Sequence, residues 1–168
     1  MTMEAVLERE DGAGAAEGPV VGVAPPMNRM VVAALSLVGV FVSTYLLAHA
    51  LGLVGSLVCG VGDCAAVQAS RWAKVGPVPV PLIGLAGYLA LFGLATAGAR
   101  PSLAASRGVA LLLLGGSMVG VAYSAWLTYL EAAVIHAWCQ WCVVSAVLMT
   151  LVFLAALPEA RRLSGRGR

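Results

Sequence analysis

AWCQWCVVSAVLMTLVFLAAL, residues 137–157, decides how the rest of the chain is read. It opens on two cysteines, Cys139 and Cys142, and then runs to Leu157 without a single charged residue. A helix rises 1.5 Å per residue and needs about 20 apolar residues to cross the hydrocarbon of a bilayer. Backbone N–H and C=O groups find no water there, so a segment that enters lipid has to be helical. Three runs of the same character precede it, at about Met30–Leu51, Pro81–Ala97 and Gly108–Leu130. The second is the shortest, and Val78 or Pro79 extends it. The sequence therefore predicts an all-α membrane protein with four transmembrane helices.

Composition leads to the same place. Of 168 residues 61% are hydrophobic and only 11% are charged. A soluble domain of this size needs more charge to cover its surface and cannot hide that much apolar area in one core, so the surplus faces lipid. A formal net charge of +2 is too small to argue for nucleic acid binding. Residues 1–28 are rich in Gly, Ala, Glu and Pro without periodicity, and are expected to be a disordered tail. Their acidic opening lacks the basic start and compact apolar stretch of a signal peptide. Residues 29–158 form the expected membrane domain, and 159–168 a basic tail.

Basic residues gather on one side of an even number of spans. Arg29 precedes the first helix, Arg100 and Arg107 flank the link between the second and third, and Arg161, Arg162, Arg166 and Arg168 follow the fourth. Cytoplasmic loops carry such an excess. Both termini are accordingly expected in the cytoplasm of a multi-pass protein of the plasma (inner) membrane. Residues 52–80 and the link in the 130s then face outward, and this puts all four cysteines, Cys59, Cys64, Cys139 and Cys142, on the oxidising side, where disulfides persist.

Cysteines three apart on a helix share a face, and CxxC spacing is common in redox pairs. Placed in the first turns of the fourth helix, Cys139 and Cys142 would feel the partial positive charge of its N-terminus, which favours the thiolate; burial near lipid opposes this. In CGVGDC, Gly60 and Gly62 predict a flexible loop that could present the Cys59–Cys64 pair to an external protein and then swing it to the second pair. Two pairs facing one compartment suit a disulfide relay. The bland alternative is a loop staple and an inert helical pair in a non-catalytic membrane scaffold or transporter. A relay needs a terminal acceptor. With no haem-type CxxCH, nucleotide fingerprint or metal-ligand spacing, a lipid-soluble quinone is the simplest one. No metal is expected: His49 and His136 lie at unsuitable distances from the cysteines for finger patterns. His136 and Glu131 read as hydrated boundary residues, and Trp126, Trp138 and Trp141 as a headgroup belt. The small residues of GGSMVGVAYSA, 115–125, would permit close helix packing.

Taken in order, these segments resemble the vitamin K epoxide reductase family over residues 30–157. The resemblance rests on Ser43-Thr44-Tyr45-Leu46 with His49 nearby, on CGVGDCAAVQASRWAKVGPV with its Ser70-Arg71-Trp72, on Tyr123-Ser124-Ala125-Trp126, and on CQWC followed by Ser145. It implies a four-helix bundle around a quinone site, capped by the loop and half-helix between the first two spans. It implies that Cys59 takes electrons from a partner thiol protein, that Cys64 exchanges with Cys139, and that Cys142 stands beside a menaquinone or ubiquinone. Gln68, Ser70, Trp72 and Ser145 would cap or contact the ring. The partner would be a separate extracytoplasmic thioredoxin-fold (DsbA-like) protein, because no thioredoxin-like sequence follows Leu157. The other four-helix disulfide oxidases place CxxC before the spaced pair, and here the order is reversed. The chain departs from the family at Val80-Pro81-Leu82-Ile83, which lacks a quinone-bonding Asn, and at Ala146, where a Tyr is expected. Gln68 replaces an aromatic found in some relatives. These departures bear on epoxide reduction and ring contacts, not on the relay.

Overall fold

The computed structural model describes residues 27–164. The expected tail at 1–28 lies outside them up to residue 26, as do residues 165–168; Met27 and Asn28 already stand in the first helix. The elements in order are helix α1 (Met27–Ala50), the short α2 (Cys64–Ala69) with a 3-10 turn at Arg71–Ala73, a two-stranded ribbon β1 (Lys74–Val75) and β2 (Val78–Pro79), then α3 (Val80–Gly98) and α4 (Pro101–Ala104). After these come α5 (Arg107–Leu130), continued by a π-turn at Glu131–Ile135, then α6 (Gln140–Ala156) and α7 (Pro158–Ser164).

Four stretches are long and apolar enough to cross a membrane: Met27–Ala50, Val80–Gly98, Arg107–Ile135 and Gln140–Arg161. Two of them, and the short α2, start where the sequence supplies a reason. Pro81 occupies the first turn of α3, where a missing N–H costs nothing. The hydroxyl of Ser106 accepts from the Val109 N–H at the start of α5, and the carboxylate of Asp63 accepts from Ala66 N–H at the start of α2.

α1 packs against α3 and α6, and α5 against α6. The interior they share contains Val32, Tyr88, Leu91, Leu113, Met149 and Val152. Its polar atoms are mostly satisfied: Tyr88 donates to the Ser145 carbonyl at 2.8 Å, and Ser117 to that of Leu113 at 2.7 Å. Gly120 lies directly under the Met149 thioether, where a Cβ would collide, so the small-residue stretch at 115–125 does bring α5 and α6 together. The outward faces carry Phe41, Leu111, Met118 and Leu154, an apolar surface suited to lipid.

Two features at the ends differ from expectation. The basic tail begins as a helix whose Glu159 is fully buried in an ion pair with Arg29. The fourth span does not start at Ala137: His136 is left-handed (φ 56°), residues 137 and 138 lie outside any helix, and the extended Cys139 is the N-cap of α6.

Candidate active site

All four cysteines lie at the end of the bundle where α1 ends and α3 and α6 begin. The loop that follows α1 is held by side chains from two helices. Tyr45 accepts from the Val58 N–H at 3.2 Å, and Trp141 donates to the Val58 carbonyl at 2.9 Å. The two rings meet edge to face, with centroids 5.2 Å apart. Gln140 accepts from the N–H groups of Gly60 (2.8 Å) and Val61 (3.2 Å). His49 Nδ1 bonds the Gly55 carbonyl at 2.8 Å, so Nδ1 carries the proton there. Trp141 is thus a clamp for the loop, and not simply a member of a headgroup belt.

Gly62 explains why the loop is docked and not free to swing in the way its glycines suggested. It pairs with Cys139 across an antiparallel bridge, and the next N–H, of Asp63, donates to the Trp138 carbonyl at 2.8 Å. At φ +86° and with its Cα against that carbonyl, residue 62 has no room for a Cβ. The glycine serves a close backbone approach between the two cysteine segments.

That approach brings the two cysteine pairs into one cluster. Cys59 and Cys64 form a disulfide, while Cys139 and Cys142 are free thiols. Cys64 and Cys139 are buried in one cluster with Val67, and Cys59 and Cys142 pack at its margin. The Cys139 Sγ accepts the Cys142 N–H at 3.4 Å, as an N-cap side chain does. Its pKa lies below the ordinary thiol value. The largest cause is the hydrogen bond from the Cys142 thiol, with the Cys142 and Trp141 N–H groups adding to it; burial and the Glu131 carboxylate oppose.

Glu131 departs furthest from its reading as a hydrated boundary residue. It is only 4% exposed, and its Oε2 accepts the Cys139 N–H at 3.1 Å. The π-turn that continues α5 turns this side chain inward. Its carboxylate and the two thiols lie within 4.8 Å of one another. These are three donors, one short of a closed structural zinc set, and two of them belong to the CxxC pair.

Beside Cys142 opens a cavity of about 520 Å³, a volume suited to a small organic ligand. Gln68, Ser70, Trp72 and Ser145 all line it. Two of their hydroxyls are already engaged: Ser70 donates to the Val67 carbonyl at 2.7 Å, and the Ser145 hydroxyl lies 3.1 Å from that of Tyr88. Gln68 Nε2 reaches the Cys142 Sγ at 3.9 Å. Val80, Pro81 and Ile83 present an apolar wall. Tyr123, quoted above without a role, also lines the cavity, and its hydroxyl is buried without a partner. The cavity wall includes Leu112 and Val119, which are 57% and 66% exposed on the outer face of α5, so it opens sideways toward the bilayer. The family model described as the vitamin K epoxide reductase family matches residues 30–157.

Proposed function

The chain belongs to the vitamin K epoxide reductase family, whose members are quinone-linked oxidoreductases, and from that premise we propose a specific path for the electrons. A reduced thioredoxin-fold (DsbA-like) protein outside the cytoplasm attacks the Cys59–Cys64 disulfide at Cys59 and leaves oxidised. The Cys64 thiolate attacks Cys139 of an oxidised Cys139–Cys142 pair, and Cys59 resolves the mixed disulfide. The reduced Cys139–Cys142 pair then passes two electrons and two protons to a menaquinone or ubiquinone in the adjoining cavity, and the disulfide re-forms. The observation that carries this reading is the packing of Cys64 on Cys139 in one buried cluster, with Cys142 alone of the pair bordering a cavity that opens to lipid. Gln68, Ser70, Trp72 and Ser145 shape the ring pocket. The half-buried Cys59 sits between Val58 and Val61, 76% and 77% exposed, an apolar rim that suits a docking protein.

The unit that does this is the membrane domain, residues 29–158, with its sulfur end outside and both termini in the cytoplasm. Arg100, Arg107 and Arg161 at the opposite end support that orientation. In intact cells, a membrane-impermeant maleimide added after reduction should label Cys59 and Cys64. Labelling that appears only when the cytoplasm is opened would invert the orientation.

Turnover is measured on the purified chain with a reduced thioredoxin-fold protein and a soluble quinone, followed by quinol absorbance. Cys59→Ser should slow quinone reduction driven by the protein thiol by about a hundredfold or more, as loss of an entry nucleophile does. Wild-type turnover in Cys59→Ser would remove Cys59 as the entry point. A stable protein that turns over no quinone in any form would favour the scaffold reading.

A further inference from the structure

Each electron pair given to a quinone must be matched by two protons. Cys139 is held as the better thiolate by the hydrogen bond from the Cys142 thiol, so in the reduced pair the proton to be moved is the one on Cys142. That thiol is half-buried and borders a largely apolar cavity. A buried site cannot gain a net charge cheaply, so the proton needs an acceptor within the site whose own charge it cancels. Among the described residues, one carboxylate lies around Cys142. Glu131 lies with Cys139 and Cys142 inside 4.8 Å, is buried, and borders the same cavity as Cys142.

We propose that Glu131 is the proton carrier between the Cys142 thiol and the quinone oxygen. This inference rests on the relay set out above. Cys142 loses its proton to the Glu131 carboxylate as its sulfur gives up the electron pair, and Cys139 closes on that sulfur to form the disulfide. Glu131, now neutral, returns the proton to a quinol oxygen. The second quinol proton balances the one that Cys139 has already released to water. Two thiols become one disulfide, one quinone becomes one quinol, and the carboxylate ends as it began. A proton exchanged between thiol and carboxylate leaves the total charge of the pocket unchanged throughout.

The titratable groups facing Glu131 are Cys139 and Cys142. α2, packed against the same turn, brings the disulfide-bonded Cys64, while its capping residue Asp63 is exposed and bonded to the Ala66 N–H. His136 is exposed.

Glu131 also has a structural task, accepting the Cys139 N–H at 3.1 Å, and the test has to separate the two. Glu131→Gln does so, because an amide oxygen still accepts that N–H but cannot take a thiol proton. The full chain is assayed with a reduced thioredoxin-fold protein and a soluble quinone across pH. Glu131→Gln should lower kcat for quinone reduction by about a hundredfold, the usual worth of a positioned acid–base group. The rise in rate that accompanies carboxyl deprotonation in the wild type should disappear. Reduction of Cys59–Cys64 by the protein thiol, read by thiol trapping in a single turnover, should stay at the wild-type rate. Glu131→Asp should restore part of the rate and the pH limb. Quinone reduction by Glu131→Gln within about threefold of wild type would overturn the proposal. So would an equal loss of Cys59–Cys64 reduction, because that would mean a damaged cap. Failure of the relay itself has a different signature: wild-type turnover in the cysteine variants, whatever residue stands at 131.

Discussion

Cys142→Ser is expected to stop quinone reduction, lowering turnover by about a thousandfold or more, as removal of a reacting nucleophile does. The fold should survive. Serine is nearly the same size, its hydroxyl can still donate to Cys139, and the N–H that bonds the Cys139 Sγ is unchanged. What the variant lacks is the sulfur at the cavity and the resolving partner for Cys139. The Cys139 thiolate can still attack Cys64, with which it shares a buried cluster, but the Cys59 thiolate freed in that step can attack back and reopen the mixed disulfide. Once the freed Cys59 thiol is alkylated, a Cys64–Cys139 crosslink should therefore accumulate and show as a shifted band on non-reducing gels, lost in Cys139→Ser. Full turnover in Cys142→Ser, measured by quinol absorbance, would remove the mechanism. Cys142→Ala adds a check on the sign of the Cys139 shift. The thiol hydrogen bond is the largest cause of its lowered pKa. Without that bond the pKa rises, so crosslinking in Cys142→Ala should need a higher pH than in Cys142→Ser.

The fold was legible because lipid imposes one rule on every spanning residue: an apolar run long enough to cross must be helical, and the number of runs fixes an up-and-down bundle. The cysteines were legible for a related reason, since spans alternate direction and so determine which loops share a side. What the sequence hid is local backbone geometry. Nothing in EAAVIHAWC announces that the helix loosens into a π-turn and that His136 is left-handed, yet this is what turns Glu131 inward and makes Cys139 a cap. Beside an apolar span, a buried glutamate and an interfacial one have the same letters around them. The glycines of CGVGDC misled in the same way. They suggest freedom, whereas Gly62 is there because a backbone passes against it. Gln140 and Trp141 occupy the variable positions of the CxxC, and sequence spacing gives no sign that they clamp a loop about 80 residues away. Tyr123 was visible as part of Tyr-x-Ala-Trp, but only the cavity shows its hydroxyl without a partner.

The clamp changes how the relay has to be pictured. The sulfurs of the two pairs are already in one cluster, so exchange between Cys64 and Cys139 requires little travel. In the proposed relay, a partner protein instead has to reach Cys59 at the rim. The segment between Val58 and Asp63 is tied by Trp141, Gln140 and the Gly62–Cys139 bridge. Every tie except the Tyr45 hydroxyl ends on residues 138–141, which flank Cys139 itself. Docking of the loop and placement of the Cys139–Cys142 pair therefore use the same residues.

Glu159→Ala should destabilise the folded protein by about 3–5 kcal/mol, the cost of leaving a buried charge without its partner. The opposite end of the bundle is built on this pair. Arg29 Nη2 lies 2.7 Å from Glu159 Oε2 and Nε lies 2.9 Å from Oε1, and the two side chains are 1% and 0% exposed. Asn28 donates to the same carboxylate at 2.6 Å, and Arg29 Nη1 donates to the carbonyls of Gly98 and Leu103. One guanidinium thus ties the start of α1, the end of α3 and the first turn of α7, and it satisfies the carbonyl of the buried Gly98 at the end of α3. With the carboxylate gone, the guanidinium keeps its charge, because arginine does not deprotonate in proteins, and it has no route to water without unpacking α7. Replacing both partners removes that penalty, so Arg29→Leu with Glu159→Leu should be less destabilised than Glu159→Ala alone, a non-additivity that a double-mutant cycle measures. Thermal unfolding in detergent micelles reads both quantities. The sulfur site lies at the other end, so quinone turnover per folded molecule should be unchanged. A Glu159→Ala protein within about 1 kcal/mol of wild type would mean that Arg29 has found water or lipid headgroups, and that the pair does not fasten the helix ends.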